Sequence, residues 1–506
     1  MNRERSRHSR KVLFALTVFL GVGICGGQQA NNPPASPSPA DSYNEQMEQR
    51  MNQLMSALDG MRDQLDRSQH EMELMRAELQ ELRAQLAQSH TPEEPTQAAS
   101  ALQASVQQLR EDTDVLQAEV KQHEQTKLES SSKYPVRISG TLLFTSLLNS
   151  SNVDNVDLPI IATPQYGHQP QGSLSATARQ TILGLEAAGP SLWGARSSAD
   201  ISVDFFGGIA YGDYTTSAGL LRMRTAHANL DWSQRSLNVA LDRPLISPLE
   251  PTSFVSVGEP ALAWSGNLWT WSPQIQFRDS SLLSNGRFGV EAGLIDVPAP
   301  GPPPSNSVRI ASPSEQSHQP GYETRISTSI PVGDRAIELG AGGYYSRQEY
   351  QYGHHLDAWA GTTDWRFPFT QRIELSGEFY RGRGVGGLGG GAFKDYAPFD
   401  NSTILRGLNA IGGWGQLKFK MTRSIEANFA LGEDNAYAGD LRGSDLDAEQ
   451  NDYADLARNR TGFANIIYRP KTYLLFSAEY RNIHSWPIDG YGNSNNSLGL
   501  AAGYLF

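Results

Sequence analysis

Two periodicities divide the chain. From Met47 onward apolar residues recur at alternating steps of three and four, through Met51, Leu54, Leu58, Met61, Leu65, Met72, Met75, Leu79, Leu82 and Leu86, with only Ser68 polar in that seam. A 3.5-residue period held this long, with Glu, Arg, Gln and Asp between the apolar positions, predicts a left-handed coiled coil, because a lone helix would leave its stripe in water. Self-association follows, but Leu and Met at both seam positions do not choose dimer over trimer. Pro92 and Pro95 interrupt the rod near 90–97, since proline removes a helix donor and pushes its predecessor into extended geometry. Leu102, Val106, Leu109, Thr113, Leu116 and Val120 then resume the spacing.

From Tyr134 the period becomes two. Alternation predicts sixteen strands, near 134–146, 177–188, 192–206, 219–231, 235–243, 274–279, 286–295, 321–331, 335–349, 354–367, 371–384, 411–422, 424–433, 458–469, 472–483 and 496–506. The connections alternate as well. Those after even strands are tight, such as Pro331-Val332-Gly333-Asp334, Phe367-Pro368-Phe369-Thr370 and Arg469-Pro470-Lys471. Those after odd strands are long, near 147–176, 244–273, 296–320, 385–410 and 433–457, the short Gln351 to Gly353 being an exception. An even-stranded barrel inserted from one side of a membrane has this parity, with both termini and the tight turns together and the long loops opposite. The expected fold is therefore mainly β: a 16-stranded antiparallel transmembrane β-barrel over 133–506, preceded by an α-helical coiled coil over 42–130.

Composition changes the picture at three points. The negative mean hydropathy excludes a helical membrane protein but not a barrel, whose strands alternate lipid-facing and lumen-facing residues. Beyond the first eleven residues there is no Lys/Arg block, so no nucleic-acid partner is expected. Arg3, Arg5, Arg7, Arg10 and Lys11 precede the apolar run Val12 to Gly23, which is too short for a stable span and suits a signal peptide over 1–30. The prolines of 31–41 make a tether. Cys25, the only cysteine, falls within this leader; Val22-Gly23-Ile24-Cys25 loosely resembles a lipoprotein box, with Ile24 bulky for that processing. The mature chain then has no disulfide and no thiolate metal site.

The final strand is the sharpest local signal. Leu498, Leu500, Ala502, Tyr504 and Phe506 alternate with Ser497, Gly499, Ala501, Gly503 and Leu505, and the sequence ends on the aromatic. In this it resembles outer-membrane barrel proteins, whose terminal strand carries such a pattern as an assembly signal; the resemblance places that role on Tyr504 and Phe506. With sixteen strands the region looks like the general diffusion and phosphate-selective porins. That resemblance implies a trimer and a third long loop folded into the lumen.

The corresponding loop, Pro244 to Pro273, is stiffened by Pro248, Pro251 and Pro260. It is too apolar for a free surface loop, with Leu245, Phe254, Val257, Leu262, Trp264, Leu268, Trp269 and Trp271. Packing inside the wall would leave Glu250 and Glu259 at a constriction facing Arg222, Arg224 and Arg243, a transverse field that sorts solutes by charge. The same charges also read as packing salt bridges. Trp264, Trp269 and Trp271 read first as packing and second as a sugar-stacking track.

Gly384 to Gly391 lacks the lysine of a phosphate loop and reads as a mobile external loop. Asp434, Asp440, Asp445, Asp447 and Asp452 fit no EF-hand and read as a solvated acidic loop. No metal or cofactor is expected. His354 and His355 face opposite sides of a strand, and no nucleophile motif accompanies them, so enzymatic activity is not expected. The expected function is an outer-membrane porin for passive diffusion of small hydrophilic solutes or ions, with the coiled coil in the periplasm and lipid around the barrel. The alternatives are a structural or adhesive barrel whose rod reaches peptidoglycan, and, behind it, a barrel hydrolase.

Overall fold

A computed structural model describes residues 127–128, 135–165, 167, 170–208, 219–283, 286–298, 311–350, 353–446 and 453–506. The expected signal peptide, tether and coiled-coil seam lie outside the described residues.

Alternation along each strand builds the wall. In β1 (Val136–Asn149) Leu142, Phe144 and Leu148 point outward, with Phe144 57% exposed, while Leu143, Thr145, Leu147 and Asn149 are buried on the inner side. The chain continues through β2, in two runs Ser173–Thr177 and Ile182–Leu192, β3 (Ala195–Asp204), β4 (Arg222–Asp231), β5 (Arg235–Asp242), β6 (Ser272–Leu283), β7 (Gly286–Ile295) and β8 (Gly321–Val332). The second half is β9 (Arg335–Glu349), β10 (His355–Pro368), β11 (Ile373–Arg383), β12 (Asn409–Lys420), β13 (Ile425–Ala436), β14 (Leu456–Lys471), β15 (Leu474–Pro487) and β16 (Asn493–Leu505). Each strand pairs antiparallel with its neighbour, and β16 returns to β1 in the register Thr141↔Leu505 to Asn149↔Ser497. The sheet is thus a closed barrel of sixteen strands, and closure removes the edges that an open apolar sheet would offer for aggregation. The extended segment Lys127–Leu128, assigned from sequence to the end of the helical rod, pairs with Val136 and Arg137 of β1.

The predicted parity of connections holds. At one end the described connections are tight turns (193–194, 232–234, 333–334, 369–372, 421–424 and 472–473). The other end carries L1 (150–172), L2 (205–221), L3 (243–271), L4 (296–320), the short L5 (350–354), L6 (384–408), L7 (437–455) and L8 (488–492). Among the described residues no helix is long and apolar enough to cross a membrane. The α-helices among the described residues are single turns, α1 (Pro313–Gln316) in L4 and α2 (Ala438–Leu441) in L7.

Two irregularities prepare the interior. Between its runs, β2 leaves the ladder, and Gln180 turns inward, fully buried. Between β3 and β4 the register steps from Ser202↔Thr225 to Val203↔Met223, leaving Arg224 outside the ladder. This bulge lets Arg222 and Arg224 share Asp204 while His227, three residues beyond Arg224, also faces inward to Asp200.

Candidate functional site

L3 follows the inside of the wall. Every residue from 261 to 270 is buried, an outcome foreseeable from the density of Trp and Leu there. A backbone laid against a wall must still satisfy its N–H and C=O groups, and inward side chains from around the barrel do so. Glu323 of β8 accepts from Leu245 N at 2.6 Å, and Thr362 of β10 donates to Ile246 O at 2.7 Å. Glu378 of β11 accepts from Ser247 Oγ at 2.5 Å and Leu249 N at 2.6 Å. Gln416 of β12 accepts from Thr252 N, Asn465 of β14 donates to Thr252 O, and Glu479 of β15 accepts from Ser253 Oγ. Gln180 then accepts from Val257 N and Gly258 N and donates to Val255 O. The loop is therefore pinned from β8 through β15 and at β2.

The charged residues singled out in the sequence gather at L3 in separate groups. Arg222 binds Asp204 through Nε at 3.1 Å and Nη2 at 2.7 Å and also donates to Gly258 O. Arg224 donates to Asp204 Oδ2 at 2.9 Å and Val257 O at 2.6 Å. Both guanidiniums lie over the Trp271 ring, at 5.0 and 4.7 Å. Arg243 reaches Glu250 at 3.3 Å and Asn267 Oδ1 at 2.8 Å. Glu250 is half-exposed, whereas Glu259 is partly buried, with its Oε2 sealed from solvent. Burial pushes the Glu259 carboxyl up to about 7; Arg222 pulls it down and Asp154 of L1 raises it further.

The three tryptophans form a packed cluster. Trp264 stacks on Phe393 of L6 at 3.9 Å and meets Trp269 edge-on at 6.0 Å, and Trp269 meets Trp271 at 5.3 Å. Ile161 of L1, Ala392 and Ala397 of L6, and Leu441 of L7 complete one apolar core among four loops. Its polar ties are buried Asp395 and Lys394 and partly buried Asp154. Asp154 accepts from Ile160 N and Ile161 N, and burial raises its carboxyl to about 6. Asp395 of L6 is likewise raised to about 6 by burial while accepting from Gly386 N and Gly387 N. Lys394 donates to the carbonyls of Ala392, Tyr453 and Leu456; burial draws its ammonium down to about 7, although three acceptors match the three donors of the charged form.

The loop readings from sequence need two corrections. Gly384 to Gly391 is buried against L3 rather than free outside, with Leu388 O accepting from Trp269 N at 3.0 Å and Gly387 O from Thr270 Oγ1 at 2.8 Å. Glycine is required by proximity: a Cβ on Gly389, at φ +99°, would lie 2.8 Å from Trp269. Asp434 is no solvated loop residue either. It is fully buried in β13 and accepts from Tyr380 Oη and Ala392 N. Asp440 accepts from Asn409, and Asp445 from Ser402 N. Asp447 and Asp452 lie outside the described residues.

Sequence reasoning missed the wall anchors Glu323, Glu378, Glu479, Gln180 and Gln416. It also missed His227, held between Asp200 at 2.7 Å and Asp242 at 3.2 Å, where β5 enters L3. The available signal was weak, a carboxylate or amide on the polar parity of a strand. Tyr504 faces outward and Phe506 closes β16 onto β1 through hydrogen bonds with Gly140. Among the described residues no group of His, Cys, Asp and Glu is arranged to hold a metal.

No family model and no curated protein matches the chain. Solved structures do. The outer membrane channel DcaP of Acinetobacter baumannii aligns at 17% identity over 75% of this chain and 100% of its own, with a TM-score of 0.56. Salmonella typhi OmpF aligns at 10% identity over 74% and 99%, with a TM-score of 0.45. An anion-selective porin from Comamonas acidovorans aligns at 10% identity over 74% and 100%, with a TM-score of 0.44. The first likeness establishes a common fold: this chain and that outer membrane channel are built on the same barrel.

Proposed function

We propose that the chain is an outer-membrane porin through which small hydrophilic solutes or ions diffuse passively. One observation carries this reading: a closed barrel with an apolar outside and a polar inside holds a long loop across its interior, anchored by wall side chains. A soluble barrel has no use for Phe144, Leu148, Phe429, Leu431, Ile466 and Leu500 as an exposed apolar belt, and lipid is the solvent that suits it. In this setting L3 narrows the lumen, and the tight turns lie on the periplasmic side.

Within that reading Arg222, Arg224, Arg243, Glu250 and Glu259 form the charge constellation of the constriction. Local pairing with Asp204 and Glu250 makes its field short-ranged, so selectivity depends on the polar groups nearest the solute path. The coiled-coil seam from Leu54 to Leu86 serves as a periplasmic rod that helps register a trimer. Single-channel recording of the full chain in planar bilayers tests the proposal. Stepwise ion conductance is expected, with closure in three steps for a trimer. A detergent-free soluble protein, or a reconstituted barrel that passes no current, would overturn it.

A further inference from the structure

L3 meets the wall strand by strand, in the order in which the strands stand around the barrel. It leaves β5 and first reaches β7, where a Cβ on Gly293 would lie 3.0 Å from Leu245. The anchors from Glu323 of β8 to Glu479 of β15 then take residues 245–253 in sequence. Val255 fills a niche between β16 and β1: it packs on Leu143 and Leu147, and a Cβ on Gly499 would come within 2.5 Å of it. Val257 and Gly258 end on Gln180 of β2 and on Arg222 and Arg224 of β4. Over residues 245–258 the loop has therefore circled the lumen and come back to the strand beside its origin. A backbone of that length spans at most about 50 Å, so the collar it forms is at most about 16 Å across. The wall, at ordinary strand spacing and tilt, is about 30 Å across, so the collar takes away about half of the bore.

The far end of the collar is held where the wall is irregular. Strict alternation would send every second residue of β2 to the lipid, yet Arg179, Gln180 and Thr181 are all buried because the strand leaves the ladder there. Thr181 Oγ1 takes the place of a ladder acceptor for Leu143 N at 3.0 Å. Gln180 is then free to turn inward. Its Oε1 accepts from Val257 N at 2.7 Å and Gly258 N at 2.8 Å, and its Nε2 donates to Val255 O at 3.0 Å and to Thr145 Oγ1 of β1 at 3.1 Å. From the other side Arg224, outside the ladder at the β4 bulge, donates to Val257 O, and Arg222 donates to Gly258 O. One short segment is thus gripped through its N–H groups from β2 and through its carbonyls from β4.

We propose that Gln180 is the clasp of this collar and sets the bore of the pore, a positioning residue through which solutes are sorted by cross-section before charge acts; this rests on the porin reading above. The arginines do not replace it. They hold carbonyls and share Asp204, whereas Gln180 alone accepts from the two amides at the end of the collar. Without it Val257 N and Gly258 N lie against the wall with no acceptor, and the segment must move toward water to find one. The closed clasp favours small, slender solutes of either charge, and the open one admits wider solutes.

The test compares the full native chain with Gln180→Met, which keeps the length of the side chain and removes its hydrogen bonds. Amide hydrogen exchange of the L3 peptide containing Val257 and Gly258 is read beside the exclusion limit of single channels for neutral polyethylene glycols. Those two amides should exchange at least about tenfold faster in the variant, and the exclusion limit should move to larger polymers with a higher conductance. Gly499→Ala pushes on Val255 without touching Gln180 and should give the same shift, and Gly499→Ala/Val255→Ala, which restores the space, should reverse it. This pair carries the test if Gln180→Met does not insert. A native exclusion limit in Gln180→Met or Gly499→Ala channels, or native exchange in Gln180→Met, overturns the clasp. Faster exchange at the end of the collar, in a barrel that passes no current even as the native chain, would leave the hold on L3 standing and remove the porin reading.

Discussion

Glu259 shows how a single desolvated carboxylate couples L3 to pH. Burial raises its folded-state pKa to about 7 from 4.5, so between these values the folded barrel binds more protons than the unfolded chain. Its contribution to stability therefore falls as pH rises through this window, and ionisation above pH 7 is the destabilising state. Asp154 and Asp395, raised to about 6 from 3.8, act in the same direction over a lower range. Glu259→Gln should stabilise the protein at pH 8 by at most on the order of 3 kcal/mol and flatten the slope between pH 5 and 7. Urea unfolding followed by tryptophan fluorescence at several pH values checks this, and an unchanged slope would count against it. Sequence marked Glu259 as a charge in an apolar loop, but its sealing from water depends on how L3 and L1 pack. Glu323, Glu378 and Glu479 were less legible, because a carboxylate on the inward parity looks the same whether it meets water or a loop backbone.

At the scale of elements, L3 and L6 behave as one packed body. Trp264 carries the contact between them, so Trp264→Ala should cost about 3–5 kcal/mol in the stability of this region and give a noisier open-channel current. Gly389→Ala places a Cβ against Trp269 at a φ that L-residues rarely adopt, and the same loosening should appear in thermal unfolding. Sequence showed that L3 must pack against something, since its Trp and Leu content demanded burial. It misread L6: a glycine run without neighbours looks mobile, and only the approach of Trp269 reveals why Cβ atoms are missing there. The bulge beside Arg224 was equally hidden, since strict alternation would place His227 on the lipid side. Arg222→Ala/Arg224→Ala removes both arginine partners of buried Asp204, leaving only Phe206 N, and two ties to L3. It should alter anion/cation preference, read as a shifted reversal potential in a salt gradient.

For the whole molecule, closure between β16 and β1 is what keeps the apolar band facing lipid with no free edge. Leu500→Arg, on the outward face of β16, should cost about 2–4 kcal/mol if it lies near the bilayer centre, measured by refolding into vesicles. Deleting Ser42 to Ser89 should reduce heat-resistant trimers on gels while leaving the conductance of each barrel intact. Persistence of full trimers would count against a registering role for the rod.

What the sequence determined by itself was the architecture. Strand number, the parity of loops and turns and the two faces of each strand all follow from a period of two, which is a local property of neighbouring residues. What only the tertiary structure decided was the interior: which carboxylates meet a loop backbone, which arginines neutralise Asp204, and how four loops share one core. Those outcomes depend on contacts between residues far apart in the chain, and local periodicity carries no information about which of them meet.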